Sequence, residues 1–146
     1  MRLLIFHVDR FSCTATQRGR SSLVEPLAER TYTLEQGLLV LASVERGDEG
    51  RPNEVVAEAA EEILKLARQV GAGRVMLHPF AHLFGAPAAP QLGVEVLDAL
   101  AERLADGGLE CVRTPFGWFF TWELVAKGHP LSRVARRIPS NEEATT

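Results

Sequence analysis

The sequence predicts one α/β domain with a mixed β-sheet and two main helices on one face. Two segments, residues 54–70 and 91–105, carry apolar residues at the 3.6-residue spacing of an amphipathic helix. Short apolar runs of strand length lie before, between and after them. With 146 residues the chain is long enough for one domain with its own core. We therefore expect residues 1–138 to form this domain and residues 139–146 a polar tail or linker.

The first third of the chain contains the candidates for the centre of the sheet. Residues 2–8 predict a central strand that ends at His7-Val8-Asp9, and residues 11–16 a second strand. Residues 34–44 predict the clearest buried strand, since they are apolar on both faces. His7 and Asp9 lie two residues apart and would share one side of a strand, an arrangement that is more often structural than catalytic.

A helix followed closely by a strand predicts a parallel crossover in the middle of the chain. Helix 54–70 has Asn53 as a plausible N-cap and Gly71 at its end, and strand 74–78 follows. This pattern is half of a βαβ unit, so residues 75–77 should run parallel to residues 38–44 and beside them. Helix 91–105 and strand 109–113 repeat the pattern.

The C-terminal third predicts an edge strand and a short helix. Residues 119–125 alternate between the two faces of a half-buried strand, which we expect to be antiparallel at the end of the sheet. Residues 131–138 are interpreted as a short basic helix. An aromatic-rich edge strand is a liability unless it is covered, so the sequence also predicts a homodimer.

Composition and charge restrict the class of protein. The net charge of −3 does not indicate nucleic-acid binding by the whole chain. A basic cluster near the end of the chain could bind phosphates or form a solvated face. The apolar runs are too short to span a bilayer and no signal-peptide pattern is visible, so we expect a cytoplasmic protein without a membrane partner. Cys13 and Cys111 lack metal-ligand spacing, which predicts buried or half-buried thiols, and no metal or cofactor is expected.

Two Pro-Phe loops that follow buried strands predict one pocket. The first is His-Pro-Phe-Ala-His at residues 78–82, and the second is Thr-Pro-Phe-Gly-Trp at residues 114–118. Loops at strand ends are where α/β folds place their sites, so we expect the two to lie side by side. His82 is then the one ordinary acid–base side chain of the pocket, with a structural loop histidine as the alternative, and His78 is interpreted as structural. Neither a Ser-His-Asp order nor an HExxH motif is present.

Three motifs occur in a fixed order along the chain. They are His-Pro-Phe-Ala-His-Leu at residues 78–83, Pro-Phe-Gly-Trp at 115–118 and Lys-Gly-His-Pro-Leu at 127–131, with Ser-Val-Glu at 43–45 before them. In this order the set resembles the N-terminal editing domain of archaeal threonyl-tRNA synthetases. The resemblance implies a D-aminoacyl-tRNA deacylase-like fold, a homodimer, and hydrolysis of serine mischarged onto threonine tRNA. The implied partners are the aminoacylated 3′ end of tRNA and a synthetase catalytic and anticodon-binding region, in the same or a separate chain.

The resemblance also implies which residues form the site. Backbone groups and the 2′-hydroxyl of the terminal adenosine would activate water, with His82 as the catalytic side chain. The implied substrate-binding residues are Val44, Pro79, Phe80, Ala81, His82, Phe116, Gly117, Phe119 and Phe120. The basic cluster that would contact tRNA consists of Lys127, Arg133, Arg136 and Arg137. Many relatives carry Tyr and Lys where Phe119 and Phe120 stand, and Glu where Arg133 stands.

Three other functions stay open from the sequence. Deacylation of D-aminoacyl-tRNA on the same fold would differ in the chirality of the amino acid released. A non-catalytic tRNA-binding or dimerisation module would bind a 3′-terminal adenosine analogue without hydrolysing an ester. A metal hydrolase would use His7, Asp9, His78 and His82, and its activity would be sensitive to chelators.

Overall fold

A six-stranded mixed sheet organises the chain, and two helices pack against it. The computed structural model describes residues 1–81, 83 and 86–139, and all structural statements concern these residues. The elements are β1 (Arg2–Arg18), β2 (Thr31–Ser43), α1 (Pro52–Val70), β3 (Arg74–Pro79), α2 (Pro90–Asp106), β4 (Glu110–Arg113), β5 (Trp118–Ala126) and β6 (Arg133–Arg137), with a single 3₁₀ turn at Arg46–Asp48.

The order of the strands is β4-β3-β2-β1-β5, and β6 lies beside the first half of β1. β2, β3 and β4 are parallel, whereas β1 is antiparallel to each of its neighbours. The predicted parallel crossover is confirmed, because Leu38 lies opposite Val75 and Val40 lies opposite Leu77. The prediction that the aromatic strand is antiparallel at an edge is confirmed for β5.

β1 is one 17-residue strand, so the prediction of two strands separated at His7-Val8-Asp9 is wrong. β2 pairs with β1 on both sides of this point, and that ladder carries the strand through it. In place of a break in the strand, the ladder between β1 and β5 has a β-bulge between Val8 and Arg10. On β2, Gln36 has a φ of 52° and its amide donates to the Asp9 carboxylate over 3.3 Å.

The prediction of a basic helix at residues 131–138 is also wrong, because this segment contains strand β6. β5 pairs only with the second half of β1, so the edge of residues 2–6 would keep unpaired N–H and C=O groups. β6 supplies the partner, with Val134 opposite Ile5 and Arg136 opposite Leu3. Local composition favoured a helix, and a distant strand edge decided otherwise.

The two main helices lie close to the predicted positions. α1 begins at Pro52 with Arg51 as the N-cap residue, so the prediction of Asn53 as N-cap is wrong. Proline fits the first helical position, where its missing N–H would have had no partner in the helix. Gly71 ends α1 with a φ of 73°, as expected for a left-handed C-terminal residue. α2 begins at Pro90 in the same way.

Both helices pack on one face of the sheet, and the other face carries a second core. The helix-side core joins the apolar stripes of α1 and α2 to residues such as Ile5, Val40 and Leu77. The second core contains Phe11 and Leu41, and half-buried aromatic side chains complete it. No described helix covers this second face. The prediction that both thiols are buried or half-buried is confirmed, since Cys13 is buried and Cys111 is half-buried.

The sheet is strongly curled, so the second face is concave. β4 and β5 lie at opposite edges in the strand order, yet only loop 114–117 connects them. The rings of His78 on β3 and Trp122 on β5 meet with centroids 5.4 Å apart, although two strands lie between them in the order. A flat sheet would separate these strands by about 14 Å at 4.8 Å per strand.

Candidate functional site

The carboxyl ends of β2, β3 and β4 meet at one edge of the sheet. Beyond β3, the N–H of Phe80 donates to the carbonyl of Ala42 over 2.9 Å. Beyond β4, the N–H of Thr114 donates to the carbonyl of Leu77 over 3.0 Å. The two Pro-Phe loops therefore start side by side, as the strand pattern predicted. In α/β sheets this edge is where ligands bind.

His78 lies between the two loops with both ring nitrogens in hydrogen bonds. The indole N–H of Trp122 donates to Nε2 over 3.2 Å, so Nε2 is an acceptor and the proton resides on Nδ1. Nδ1 lies 2.7 Å from the hydroxyl of Thr114, which accepts that proton. Burial lowers the pKa of His78 to about 4. The imidazole is therefore neutral, fixed in one tautomer and structural, in line with the interpretation from sequence.

An aromatic cluster surrounds His78 on the concave face. Its ring centroid lies 5.1 Å from that of Phe120 and 5.9 Å from that of Phe11, both at steep interplanar angles. Phe80 extends the cluster by contacting Trp122 with centroids 5.9 Å apart. Edge-to-face contacts of this kind hold aromatic rings in defined positions. The cluster gives the inner side of the loop edge an apolar wall.

The structure brings together some of the expected substrate-binding side chains and separates others. Phe80 and Phe120 share the aromatic cluster, whereas Phe119 points to the other side of β5 and is 58 % exposed. The side chain of Val44 belongs to the helix-side core, and its carbonyl accepts from the N–H of Ala88 over 2.9 Å. Phe116 approaches Gly93 at the start of α2.

The remaining expected site residues of the first Pro-Phe loop are Pro79, Ala81 and His82. Pro79 and Ala81 are half-buried at the end of β3 and just beyond it. His82, the expected catalytic side chain, lies outside the described residues, and so do the residues of the tail from 140 onwards. Besides main-chain groups and apolar side chains, the described residues place the hydrogen-bonded pair His78 and Thr114 at this edge.

The sequence-family model of the archaea-specific editing domain of threonyl-tRNA synthetase matches residues 1–138. The chain belongs to this family. It is 39 % identical over 138 residues to a threonine–tRNA ligase of Methanopyrus kandleri, and 38 % identical over 144 residues to one of Thermococcus gammatolerans. These matches cover 94 % and 97 % of the chain but only 22 % and 23 % of the ligases. The editing domain thus spans about a quarter or less of the curated relatives.

The fold of the editing domain also occurs in a distant solved structure. The c-Myc DNA Unwinding Element Binding Protein superposes with a TM-score of 0.66 at 12 % sequence identity. The superposition covers 95 % of this chain and 99 % of that protein. The predicted D-aminoacyl-tRNA deacylase-like α/β fold is confirmed.

Glu25 positions the second Pro-Phe loop of the editing domain. Its carboxylate forms a bidentate ion pair with Arg113 and accepts from the N–H of Phe116 over 2.7 Å. Its carbonyl accepts from the indole of Trp118, also over 2.7 Å. The Arg113 hydrogen bonds are the main reason why the pKa of Glu25 is lowered. Sequence reasoning missed this residue, because a single Glu beside Pro26 carries no signal of a partner 88 positions away.

Gly117 at the end of this loop is required by its backbone. Its φ is +96°, and a Cβ atom there would stand 2.8 Å from the carbonyl oxygen of Leu23 and 2.9 Å from Cα of Val24. Only glycine combines this φ with so close an approach. The loop is thereby held against the segment that carries Glu25.

The expected basic cluster does not form a single patch. Arg136 pairs with Glu62 on α1 at 3.3 Å, and Lys127 pairs with Asp9 at 2.5 Å. Arg133 and Arg137 lie opposite Phe6 and Arg2 on β1. Since strand residues alternate, these two arginines lie on the other face of β6 from Arg136.

Of the residues of the metal-hydrolase alternative, the described histidines His7 and His78 do not converge, and His82 lies outside the described residues. His7 belongs to the helix side of β1, whereas His78 belongs to the concave face. Among the described residues no group of three His, Cys, Asp or Glu side chains is arranged to hold a metal ion. No described helix is both long enough and apolar enough to cross a membrane.

Proposed function

We propose that this editing domain hydrolyses the ester of serine mischarged onto threonine tRNA and spares Thr-tRNA. Serine is threonine less one methyl group, and a binding pocket distinguishes one methyl by only about 1–3 kcal/mol. A ligase selecting threonine therefore needs a second site that accepts the smaller amino acid. Membership of the editing-domain family supports this role.

The observation that carries the mechanism is the state of His78. It is the described imidazole at the loop edge, yet both its nitrogens are engaged and its pKa is about 4, so it is a poor general base at pH 7. In our proposal the 2′-hydroxyl of the terminal adenosine and main-chain groups of the loops position and activate a water. The water attacks the ester carbonyl, the bond to the 3′-oxygen breaks, and serine and deacylated tRNA leave.

The substrate would lie along the loop edge. The residues proposed to contact it through side chain or main chain are Val44, Pro79, Phe80, Ala81, His82, Phe116, Gly117, Phe119 and Phe120. Since Phe119 and Phe120 carry neither hydroxyl nor ammonium, the seryl group would be held mainly by backbone groups. His82 then contributes by positioning the substrate more than by taking a proton.

Single-turnover deacylation tests the proposal. Ser-tRNA specific for threonine should lose its serine while Thr-tRNA run beside it is spared. Release of a D-amino acid in place of L-serine would identify the D-aminoacyl-tRNA deacylase, and binding without hydrolysis the non-catalytic module. A tRNA ending in 2′-deoxyadenosine, with serine on the 3′-oxygen, should bind but not turn over. Undiminished hydrolysis of that substrate would contradict substrate assistance.

His82→Ala separates the two candidate bases. An obligate general base contributes about 10²–10⁴-fold, so its loss would show at that level. If the 2′-hydroxyl does this work, the variant should lose clearly less than 10²-fold at saturating substrate.

The proposed ester hydrolysis also implies binding partners for the domain. We propose that Arg133, Arg137, Arg136 and Lys127 contact tRNA, and that the domain acts together with a synthetase catalytic and anticodon-binding region. We also propose a homodimer that covers edge strand β5, on which Phe119 and Val125 are 58 % and 44 % exposed. Light scattering at micromolar concentration should give twice the monomer mass, and a monomer would refute the dimer.

A further inference from the structure

A pocket of about 530 Å³ lies at the end of the sheet opposite the loop edge. It is formed between the C-terminal end of α1 and the turn that carries the Lys-Gly-His-Pro-Leu motif. β3 begins just after α1 and reaches the loop edge six residues later, a distance of roughly 20 Å at about 3.3 Å per residue. The pocket is therefore separate from the proposed ester site. Its lining residues include His7, Gln36, Gln69, Lys127, His129 and Leu131.

A chain of hydrogen bonds fixes two imidazoles in this pocket. The N–H of Leu131 donates to Nδ1 of His129 over 3.2 Å, which leaves the proton of the neutral ring on Nε2. Nε2 of His129 lies 2.8 Å from Nδ1 of His7 and donates to it. His7 is then protonated at Nε2, and no described group accepts from that N–H. The chain thus ends in a polarised donor at the pocket.

Lys127 supplies a positive charge to the same pocket. Its ammonium binds Asp9 at 2.5 Å, which occupies one of its three donors. The main chain holds the arrangement, since the N–H of Lys127 donates to the carbonyl of His7 and the N–H of His7 to that of Ser132, both over 2.9 Å. The donors are therefore positioned before a ligand arrives.

We propose that this pocket binds a phosphate group carried by a nucleotide, with His7 and Lys127 donating to the phosphate oxygens. Imidazole and ammonium donors suit a phosphate, the amides of Gln36 and Gln69 suit the edge of a base, and the volume suits a mononucleotide-sized ligand. The nucleotide is either free or part of an RNA chain. The inference does not depend on the ester hydrolysis, because it concerns binding at the opposite edge.

The charges around the imidazole pair make the binding depend on pH. The charged or titratable groups that act on His7 are Lys127, Asp9 and His129. The C-terminal carbonyl end of α1 adds partial negative charge at the pocket. Burial, His129 and Lys127 lower the pKa of His7, and Asp9 raises it, so the His7 ring of the free pocket is neutral at pH 7. A bound phosphate favours protonated His7. Binding should therefore take up a proton and be tighter at pH 6 than at pH 8.

The test is a titration of the whole 146-residue chain followed by NMR of the imidazole nitrogens. Inorganic phosphate, AMP, adenosine, and one short single-stranded RNA with and without a 5′-phosphate are compared at pH 6 and pH 8. Phosphate and AMP should shift the resonances of His7 and His129, and adenosine should not. Tighter binding of the 5′-phosphorylated RNA than of AMP would place the nucleotide in an RNA chain, and the reverse order would identify a free nucleotide. Absence of any shift by phosphate and AMP at millimolar concentration would overturn the proposal.

Asp9→Asn and Lys127→Met form a matched pair of variants, because each breaks the same ion pair. If the ion pair is only structural, both changes should alter binding in the same direction. A phosphate site predicts opposite effects, because Asp9→Asn removes a repelling charge and Lys127→Met removes a donor. We expect AMP affinity to rise with Asp9→Asn and to fall about tenfold with Lys127→Met, the size of one charged hydrogen bond. Equal losses in both variants, or equal affinity at pH 6 and pH 8, would refute the inference.

Discussion

The indole N–H of Trp122 donates to Nε2 of His78 over 3.2 Å and thereby joins β5 to β3 across the concave face. These strands are not neighbours in the sheet, so the bond exists only because the sheet curls. It also selects the tautomer in which His78 donates to Thr114 at the start of the second Pro-Phe loop. One hydrogen bond thus links the curvature of the sheet to the placement of the loop edge.

Trp122→Phe should destabilise the domain by about 1–3 kcal/mol, the usual cost of leaving a buried acceptor without its partner. It should also free the His78 proton to exchange between its two nitrogens. Urea unfolding and nitrogen NMR of the imidazole measure the two effects. Trp118→Phe is the matched control, since it removes an indole donor to Glu25 but leaves His78 untouched. An unchanged His78 tautomer in Trp122→Phe would contradict the proposed role of the bond.

The stability of the domain should fall as the pH drops from about 6.5 to about 4. Burial lowers the pKa of His78 from 6.5 to about 4, so within this range the unfolded chain binds a proton that the folded chain does not. The total loss in the free energy of unfolding is about 3 kcal/mol, at about 1.4 kcal/mol per pKa unit, and this loss is complete below pH 4. Unfolding free energies measured from pH 4 to pH 8 test this. His78→Asn should flatten the slope, and an unchanged slope would assign the effect to other groups.

Gly117→Ala should destabilise the domain by more than Gly108→Ala. Both glycines have nearly the same positive φ, +96° and +98°, so both variants carry the same backbone strain of about 1 kcal/mol. Only at Gly117 would the new methyl group meet main-chain atoms, whereas nothing lies within 4 Å at Gly108. The difference between the two unfolding free energies therefore measures the close approach. Equal values would show that the loop moves away at little cost.

Glu25→Gln should loosen the second Pro-Phe loop. The carboxylate accepts from Arg113 and from the N–H of Phe116, and a neutral amide makes these bonds weaker by about 1 kcal/mol. We expect amide exchange of Phe116 to become about fivefold faster. Glu110→Gln is the control, because its ion pair with Arg74 is exposed and contributes little. Slower or unchanged exchange at Phe116 in Glu25→Gln would contradict the role of Glu25 in positioning the loop.

Local pattern predicted the helices and the parallel strands well. The apolar stripes of α1 and α2 repeat every 3.6 residues, and strand β3 follows α1 after a short link, so each signal lies within a few tens of residues. Because elements that follow each other in the chain are usually neighbours in space, this pattern places β3 beside β2. The side-by-side start of the two Pro-Phe loops follows from that parallel order alone.

The two errors in assigning strands and helices occur where the pairing partner is distant in the chain, whereas the N-cap error at Asn53 is local. The sequence around Asp9 resembles a strand end, but β2 pairs across it and extends β1 to Arg18. The basic segment near residue 135 resembles a helix, but the free edge of β1 makes it a strand. In both cases an unpaired backbone edge outweighs a weak local preference, because each buried N–H or C=O left without a partner costs more than propensity contributes.

The sequence by itself determined the fold class, the two helices and the family, because motif order and periodicity are properties of the chain. Only the tertiary structure decided what the polar side chains do. His7 meets His129 across 122 positions, Glu25 meets Arg113 across 88, and Trp122 meets His78 across 44. Such pairs depend on the curl of the sheet and on the edges that β5 and β6 occupy. Side-chain hydrogen bonds need positions defined to within a few tenths of an ångström, and only the packed chain provides them.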